Sequence, residues 1–137
     1  DTFCFTYGDG LSDVNVSKLV HFHKKQKKLA TVTTSPHQSR FGVISALNGR
    51  VTKFSEKPTI ENSRMNSGFF VLEPEVLDYI KGDETVFEKE PLQRLVREGQ
   101  LAAYSHDGFF QGMDSLRDKM MLEDLWKNGT APWRVWS

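Results

Sequence analysis

Two aspartates far apart in the chain, Asp9 and Asp114, have the surroundings from which metal and phosphate chemistry could be built. Asp9 closes the apolar run Thr2-Phe3-Cys4-Phe5-Thr6-Tyr7 and stands between Gly8 and Gly10. Asp114 closes a second run, Phe109-Phe110-Gln111-Gly112-Met113. Ligands of open α/β sheets bind beyond the carboxyl ends of buried strands, which is where such residues fall. As a pair they match Mg²⁺, which takes hard oxygens, one or two of them carboxylates, and fills its shell with phosphate and water. Each also has a plainer use: aspartate beside glycine is turn chemistry, and aspartate before a helix caps it. Lys57, held between Glu56 and the rigid Pro58, can present an ammonium to a phosphate or form a surface pair with Glu56. Asn66 can hydrogen-bond a sugar hydroxyl or its own backbone. Only the fold can decide between these uses.

The elements that must position these residues follow from the periodicity. The run at 2–7 reads as a strand covered on both faces, as inside parallel sheets. Val16, Leu19, Val20 and His23 recur at helical spacing and predict an amphipathic helix near 15–28. Leu29 to Thr34 predicts a buried strand ended by Pro36, completing a parallel βαβ unit. Phe41 to Leu47 and Arg50 to Phe54 flank Asn48-Gly49, the dipeptide suited to a type I′ hairpin. Met65 to Leu72 is a further strand, and its Gly68 permits close approach by a ligand or another backbone. Pro74 starts a short helix through Ile80, Pro91 lies near the start of another, and Leu101 to Ser105 is a short strand. Ser115 caps a final helix that runs to about Asn128 and stops at Gly129. Apolar residues on two sides of that helix suit packing between layers or subunits.

Composition narrows the function classes. With 137 residues the chain fits one core. Its 18 basic residues balance 18 acidic ones, which argues against a nucleic-acid face or an anionic membrane surface. The basic cluster from His23 to Lys28 complements a helix C-terminus. The one cysteine, Cys4, sits in the apolar strand and reads as core, which with the lack of a signal peptide or spanning segment indicates a cytoplasmic protein. His21 and His23 fall on different helix faces, so they share no ligand; His23 reads as a satisfied, half-buried residue. His37 and His106 are isolated. No nucleophile elbow, paired-cysteine zinc motif or Walker loop occurs. A chain that opens on its most buried strand reads as the downstream part of a larger protein.

Taken in order, Tyr7-Gly8-Asp9-Gly10, Arg40-Phe41-Gly42-Val43, Glu56-Lys57-Pro58, Asn66-Ser67-Gly68-Phe69-Phe70 and Gln111-Gly112-Met113-Asp114 resemble the sugar-nucleotide pyrophosphorylases, a family of nucleotidyltransferases. Glu88-Lys89-Glu90-Pro91-Leu92 and the tail Leu125 to Trp133 are similar to the branch that joins CTP to glucose 1-phosphate. The resemblance implies an α/β fold, a mostly parallel, Rossmann-like mixed sheet with an inserted β-hairpin. It also implies that the N-terminal nucleotide-binding half is missing. Residues 1–137 would then be the C-terminal, sugar-phosphate- and metal-binding part of the domain. The implied product is CDP-glucose, which feeds deoxysugar synthesis for surface polysaccharides, with release of pyrophosphate. Asp9 and Asp114 would hold Mg²⁺ and Lys57 would neutralise the sugar phosphate. Glu56 and Asn66 would bind the hexose, while Gly8, Gly42 and Gly68 let backbone approach the ligands. Sibling enzymes using UTP, dTTP or GTP, and a non-catalytic sugar-phosphate-binding or assembly module, are the alternatives. The family relatives are oligomers, and the resemblance implies a homo-oligomer here.

Overall fold

The computed structural model describes residues 1–38, 43–56 and 59–136. The expectations for Gly42 and Lys57 lie outside the described residues. In chain order the elements are β1 (Phe3–Thr6), β2 (Gly10–Ser12), α1 (Val16–Gln26) and β3 (Ala30–Gln38). A hairpin of β4 (Val43–Leu47) and β5 (Arg50–Ser55) precedes the long β6 (Thr59–Leu72). A 3-10 helix (Pro74–Tyr79), α2 (Glu90–Arg97), β7 (Leu101–Ser105), β8 (Phe110–Gly112) and α3 (Leu116–Lys127) follow.

Local chemistry explains several of these boundaries. The Asn15 side chain accepts a hydrogen bond from the Lys18 N–H at 2.9 Å and so starts α1, with Leu19 and His23 buried beneath it. Lys27, in the left-handed conformation, ends the helix, and His23, Lys24 and Lys25 oppose its C-terminal dipole. Asn48 and Gly49 both have positive φ, 49° and 77°, as a type I′ turn demands. The hairpin forms as the dipeptide predicts.

The main sheet has the order β1-β6-β3-β7. β6 runs antiparallel to both β1 and β3, and β7 runs parallel to β3. Three of the four strands therefore share one direction, and the sheet is mixed as expected. It is not mostly parallel in its pairing, since only the β3–β7 ladder is parallel. The simple βαβ unit needs correction, because β1 and β3 point the same way but are separated by β6. The reason is burial: Phe70 pairs with Phe5 on one side and Val32 on the other and is only 1% exposed. The strongest apolar stretch takes the centre of the sheet.

Two further expectations are overturned. β1 is an edge strand among the described residues, and Cys4 on it is exposed rather than core. β3 continues past Pro36 to Gln38, with a register shift after Pro36 where the ladder loses a donor. The core gathers Ala30, Phe70, Leu72, Val76, Tyr79 and Leu95. Phe5, Tyr7 and Phe87 ring Phe70 at centroid distances of 5.8, 5.8 and 5.6 Å. Among the described residues no helix is long and apolar enough to cross a membrane.

Candidate active site

A short ribbon that the sequence did not announce builds the site. β2 and β8 pair antiparallel through Gly10↔Gly112, Leu11↔Gln111 and Ser12↔Phe110. Beyond the Gly10↔Gly112 pair, the Met113 N–H donates to the Asp9 carbonyl at 2.7 Å. Asp9 and Asp114 therefore stand one residue out of step at the same end of the ribbon. Gly10 fits there because an added Cβ would lie 3.3 Å from the Phe110 ring. At the other end the Ser12 hydroxyl donates to the Phe109 carbonyl at 2.7 Å, and Asp13 meets His106 Nε2 at 2.9 Å. His106 is thus tied to the ribbon rather than isolated.

Both aspartates face one cavity of about 800 Å³, lined by residues of β3, β6, β8, α3 and the adjoining loops. Asn66 and Ser67 form part of its wall, and buried Ser67 shares a 2.6 Å hydrogen bond with Ser35. The capping role open to Asp114 is filled by its neighbours. The Ser115 hydroxyl accepts from the Asp118 N–H at 3.2 Å, and Asp118 accepts from the Ser115 N–H at 3.0 Å. Asp107, also in the wall, is engaged by Arg64 at 2.9 Å. Asp9, Asp107, Asp114 and Asp118 all line the cavity, together with Arg117. The donor set fits Mg²⁺, because Asp9 and Asp114 offer hard oxygens to one space. Among the described residues no cluster of three or more histidine, cysteine or acidic side chains forms a closed cage, and Mg²⁺ does not need one.

The remaining predicted residues divide. Asn66 lies in the wall, with its Oδ1 accepting from the Gly68 N–H at 2.7 Å. Gly68 has φ +75°, and a Cβ there would lie 2.5 Å from the Tyr7 ring. The close approach it permits is by that ring. Gly8 has open space around it, and the structure does not place it in the cavity wall. Glu56 is exposed at the bend that follows β5 and is not among the residues lining the cavity.

Tyr7, Ser35, Asp107, Gln111, Ser115 and Arg117 are wall residues that the sequence reading did not single out. Tyr7 had a signal, since it ends the apolar run two positions before Asp9. Ser35 and Asp107 had none, because only tertiary pairing brings them in. The Tyr7 hydroxyl has its pKa pushed up to about 12 by burial and by a hydrogen bond to Glu88.

These features describe an α/β domain with acidic strand ends converging on a ligand-sized cavity, and the comparisons with known proteins give it a family. The sequence matches the Nucleotidyl transferase family over residues 1–134, and the chain belongs to that family. Glucose-1-phosphate cytidylyltransferase of Salmonella typhimurium is 46% identical over 136 residues, covering 99% of this chain and 53% of its own length. A Bacillus subtilis protein described as a probable glucose-1-phosphate cytidylyltransferase is 40% identical over 99% of this chain and 54% of its length. The crystal structure of HddC from Yersinia pseudotuberculosis has a TM-score of 0.65 at 16% identity, covering 91% of this chain and 55% of that one, and supports the fold alone. The chain spans about half the length of the curated relatives it matches.

Proposed function

We propose that this chain is the sugar-phosphate and metal-binding part of a glucose-1-phosphate cytidylyltransferase. The convergence of Asp9 and Asp114 on one cavity carries the reading, and the similarity to cytidylyltransferases supports the choice of CTP and glucose 1-phosphate. In the reaction an oxygen of the sugar phosphate attacks the α-phosphorus of CTP. A new P–O bond forms, the α–β bridge breaks, and pyrophosphate leaves. Catalysis of this kind rests on positioning and charge neutralisation, with no covalent enzyme intermediate. Asp9 and Asp114 would hold Mg²⁺, which when bound supplies positive charge against the phosphates. Asn66 would meet the hexose, and Lys57 would neutralise its phosphate. Cytoplasmic location and self-association belong to the same reading.

Because the chain spans about half of its relatives, we expect it alone to bind glucose 1-phosphate without turnover. In a polypeptide of the relatives' length carrying this segment, CTP should be preferred over UTP, dTTP and GTP. Asp9→Asn or Asp114→Asn should lower pyrophosphate release by about a hundredfold or more. A full rate from either variant, or equal use of all four triphosphates, would reject the assignment.

A further inference from the structure

The ribbon that carries Asp9 and Asp114 is too short to fix its own alignment. β2 and β8 share three residue pairs, and among the described residues neither joins a third strand. A two-stranded ribbon of this length is marginal by itself. The pair nearest the aspartates is Gly10↔Gly112, which has no side chains to specify register. Alignment nevertheless decides whether the two carboxylates can act together. Mg²⁺ lies about 2.1 Å from each ligand oxygen, so two carboxylates that share it bring oxygens within about 4 Å of each other. A slip of one residue displaces a strand by about 3.3 Å and turns its side chains to the opposite face. Such a slip would take either aspartate out of a shared metal shell.

The far end of the ribbon holds what the near end lacks. The Phe109 carbonyl, just before β8, accepts from the Ser12 hydroxyl at 2.7 Å, the Asp13 N–H at 3.3 Å and His106 Nε2 at 3.2 Å. His106 Nε2 also lies 2.9 Å from Asp13 Oδ1, just after β2. Both partners of Nε2 accept, so in the neutral ring that nitrogen carries the hydrogen. It shares that hydrogen between the chain beyond β2 and the chain before β8. His106 is itself fixed to the main sheet, its N–H donating to the Thr34 carbonyl at 2.9 Å. Arg64 on β6 donates to the His106 carbonyl at 3.0 Å and to the Thr34 carbonyl at 2.8 Å. Gly108 leaves room for this closure, because an added Cβ would lie 2.6 Å from Asp13 Oδ1 and 2.7 Å from the His106 ring. We propose that His106, seated by Arg64, is a positioning residue that locks the register of the β2–β8 ribbon and so keeps Asp9 and Asp114 within reach of one metal ion, an inference that rests on the functional reading above. The lock acts from the end of the ribbon remote from the two aspartates.

The test is titration of the full chain with Mn²⁺, which takes the same hard oxygen ligands, with free metal read by electron paramagnetic resonance. Amide exchange of Met113 reports the register in the same samples, since its N–H bonds to the Asp9 carbonyl. His106→Leu should weaken Mn²⁺ binding about tenfold and speed Met113 exchange, while β6 amides keep their protection. His106→Gln, which returns an N–H donor, should recover most of both. Asp13→Ala removes the other partner and should match His106→Leu, with no further loss in the double variant, which keeps the test intact if His106→Leu folds poorly. Wild-type Mn²⁺ affinity in His106→Leu would overturn the proposal and leave the functional reading standing. So would loss of Met113 and β6 protection together with no recovery in His106→Gln. A wild type that binds no Mn²⁺, or an Asp114→Asn variant that binds it as tightly as the wild type, would overturn the functional reading and this proposal with it.

Discussion

His23 does structural work rather than chemistry, and the residues around it show how. It is 1% exposed, with Nδ1 2.8 Å from the Thr31 hydroxyl and Nε2 3.1 Å from Glu73. An ionised carboxylate only accepts, so Nε2 carries the hydrogen and the network assigns the tautomer. Thr2 donates to both Glu73 oxygens, at 2.9 and 3.0 Å. Burial raises the Glu73 pKa, but hydrogen bonds from the Thr2 hydroxyl and the His23 ring oppose it, and the group is held below its ordinary value of 4.5. Glu73 thus ties α1 and β3 to the chain just before β1. A carboxyl with a lowered folded-state pKa contributes stability that is complete above its unfolded pKa and lost as pH falls through the folded value. The melting temperature of the wild type should therefore exceed that of Glu73→Gln at pH 6–7, with the gap closing as pH falls through and below the ordinary carboxyl range. A gap independent of pH would reject the role given to the ionised carboxylate. The sequence already marked His23 as a satisfied residue on a helix face, but its partners at 31 and 73 come from tertiary packing and left no local trace.

At the scale of elements, whatever is dictated locally was legible and whatever is dictated by partners was not. Helical spacing at Val16, Leu19, Val20 and His23, the Asn48-Gly49 turn and the Ser115 cap each act through neighbouring residues, and α1, the hairpin and α3 appear where they point. The central place of β6 depends on which strand buries the most, and three-residue β2 is too short to show a period. Site residues follow the same division. Asp9 and Asp114 were visible as carboxylates at the ends of apolar runs, whereas the ribbon that joins them was not. The place of Glu56 beside Lys57 and Pro58 in the sequence says nothing about where the hairpin goes. That hairpin is exposed along nearly its whole length, with Ile44, Val51 and Phe54 each about 60% accessible. A two-stranded ribbon is marginal by itself, so its turn carries much of its order. Gly49→Val puts a β-branched residue at φ 77° and should raise amide exchange across 43–55, while β3 and core β6 amides keep their protection. Equal acceleration in both regions would mean that the hairpin and the sheet unfold as one unit.

The whole molecule presents an open sheet edge. β1 pairs only with β6 among the described residues, so its outer side offers unpaired backbone N–H and C=O groups. Phe5 is 40% exposed there despite its contacts with Phe70 and Phe87, and Cys4 and Thr6 are exposed beside it. Such an edge is a template for another strand, whether from the remainder of a longer polypeptide or from a second copy. The curated relatives are about twice as long as this chain, so the first applies to a polypeptide of their length and the second to the chain alone. The apolar side of α3 adds a second uncovered surface, with Leu116 71% and Met120 56% exposed. The two can be separated by experiment. A charged side chain on an edge strand discourages pairing without changing the core, so Thr6→Lys should reduce association if β1 is responsible. Under reducing conditions, which keep Cys4 from forming disulfides, the mean mass by light scattering should rise with concentration for the wild type and much less for Thr6→Lys. Met120→Lys, which alters α3 alone, should behave as the wild type. If Met120→Lys abolishes association and Thr6→Lys does not, the contact runs through the helix and β1 is not the surface that draws a partner.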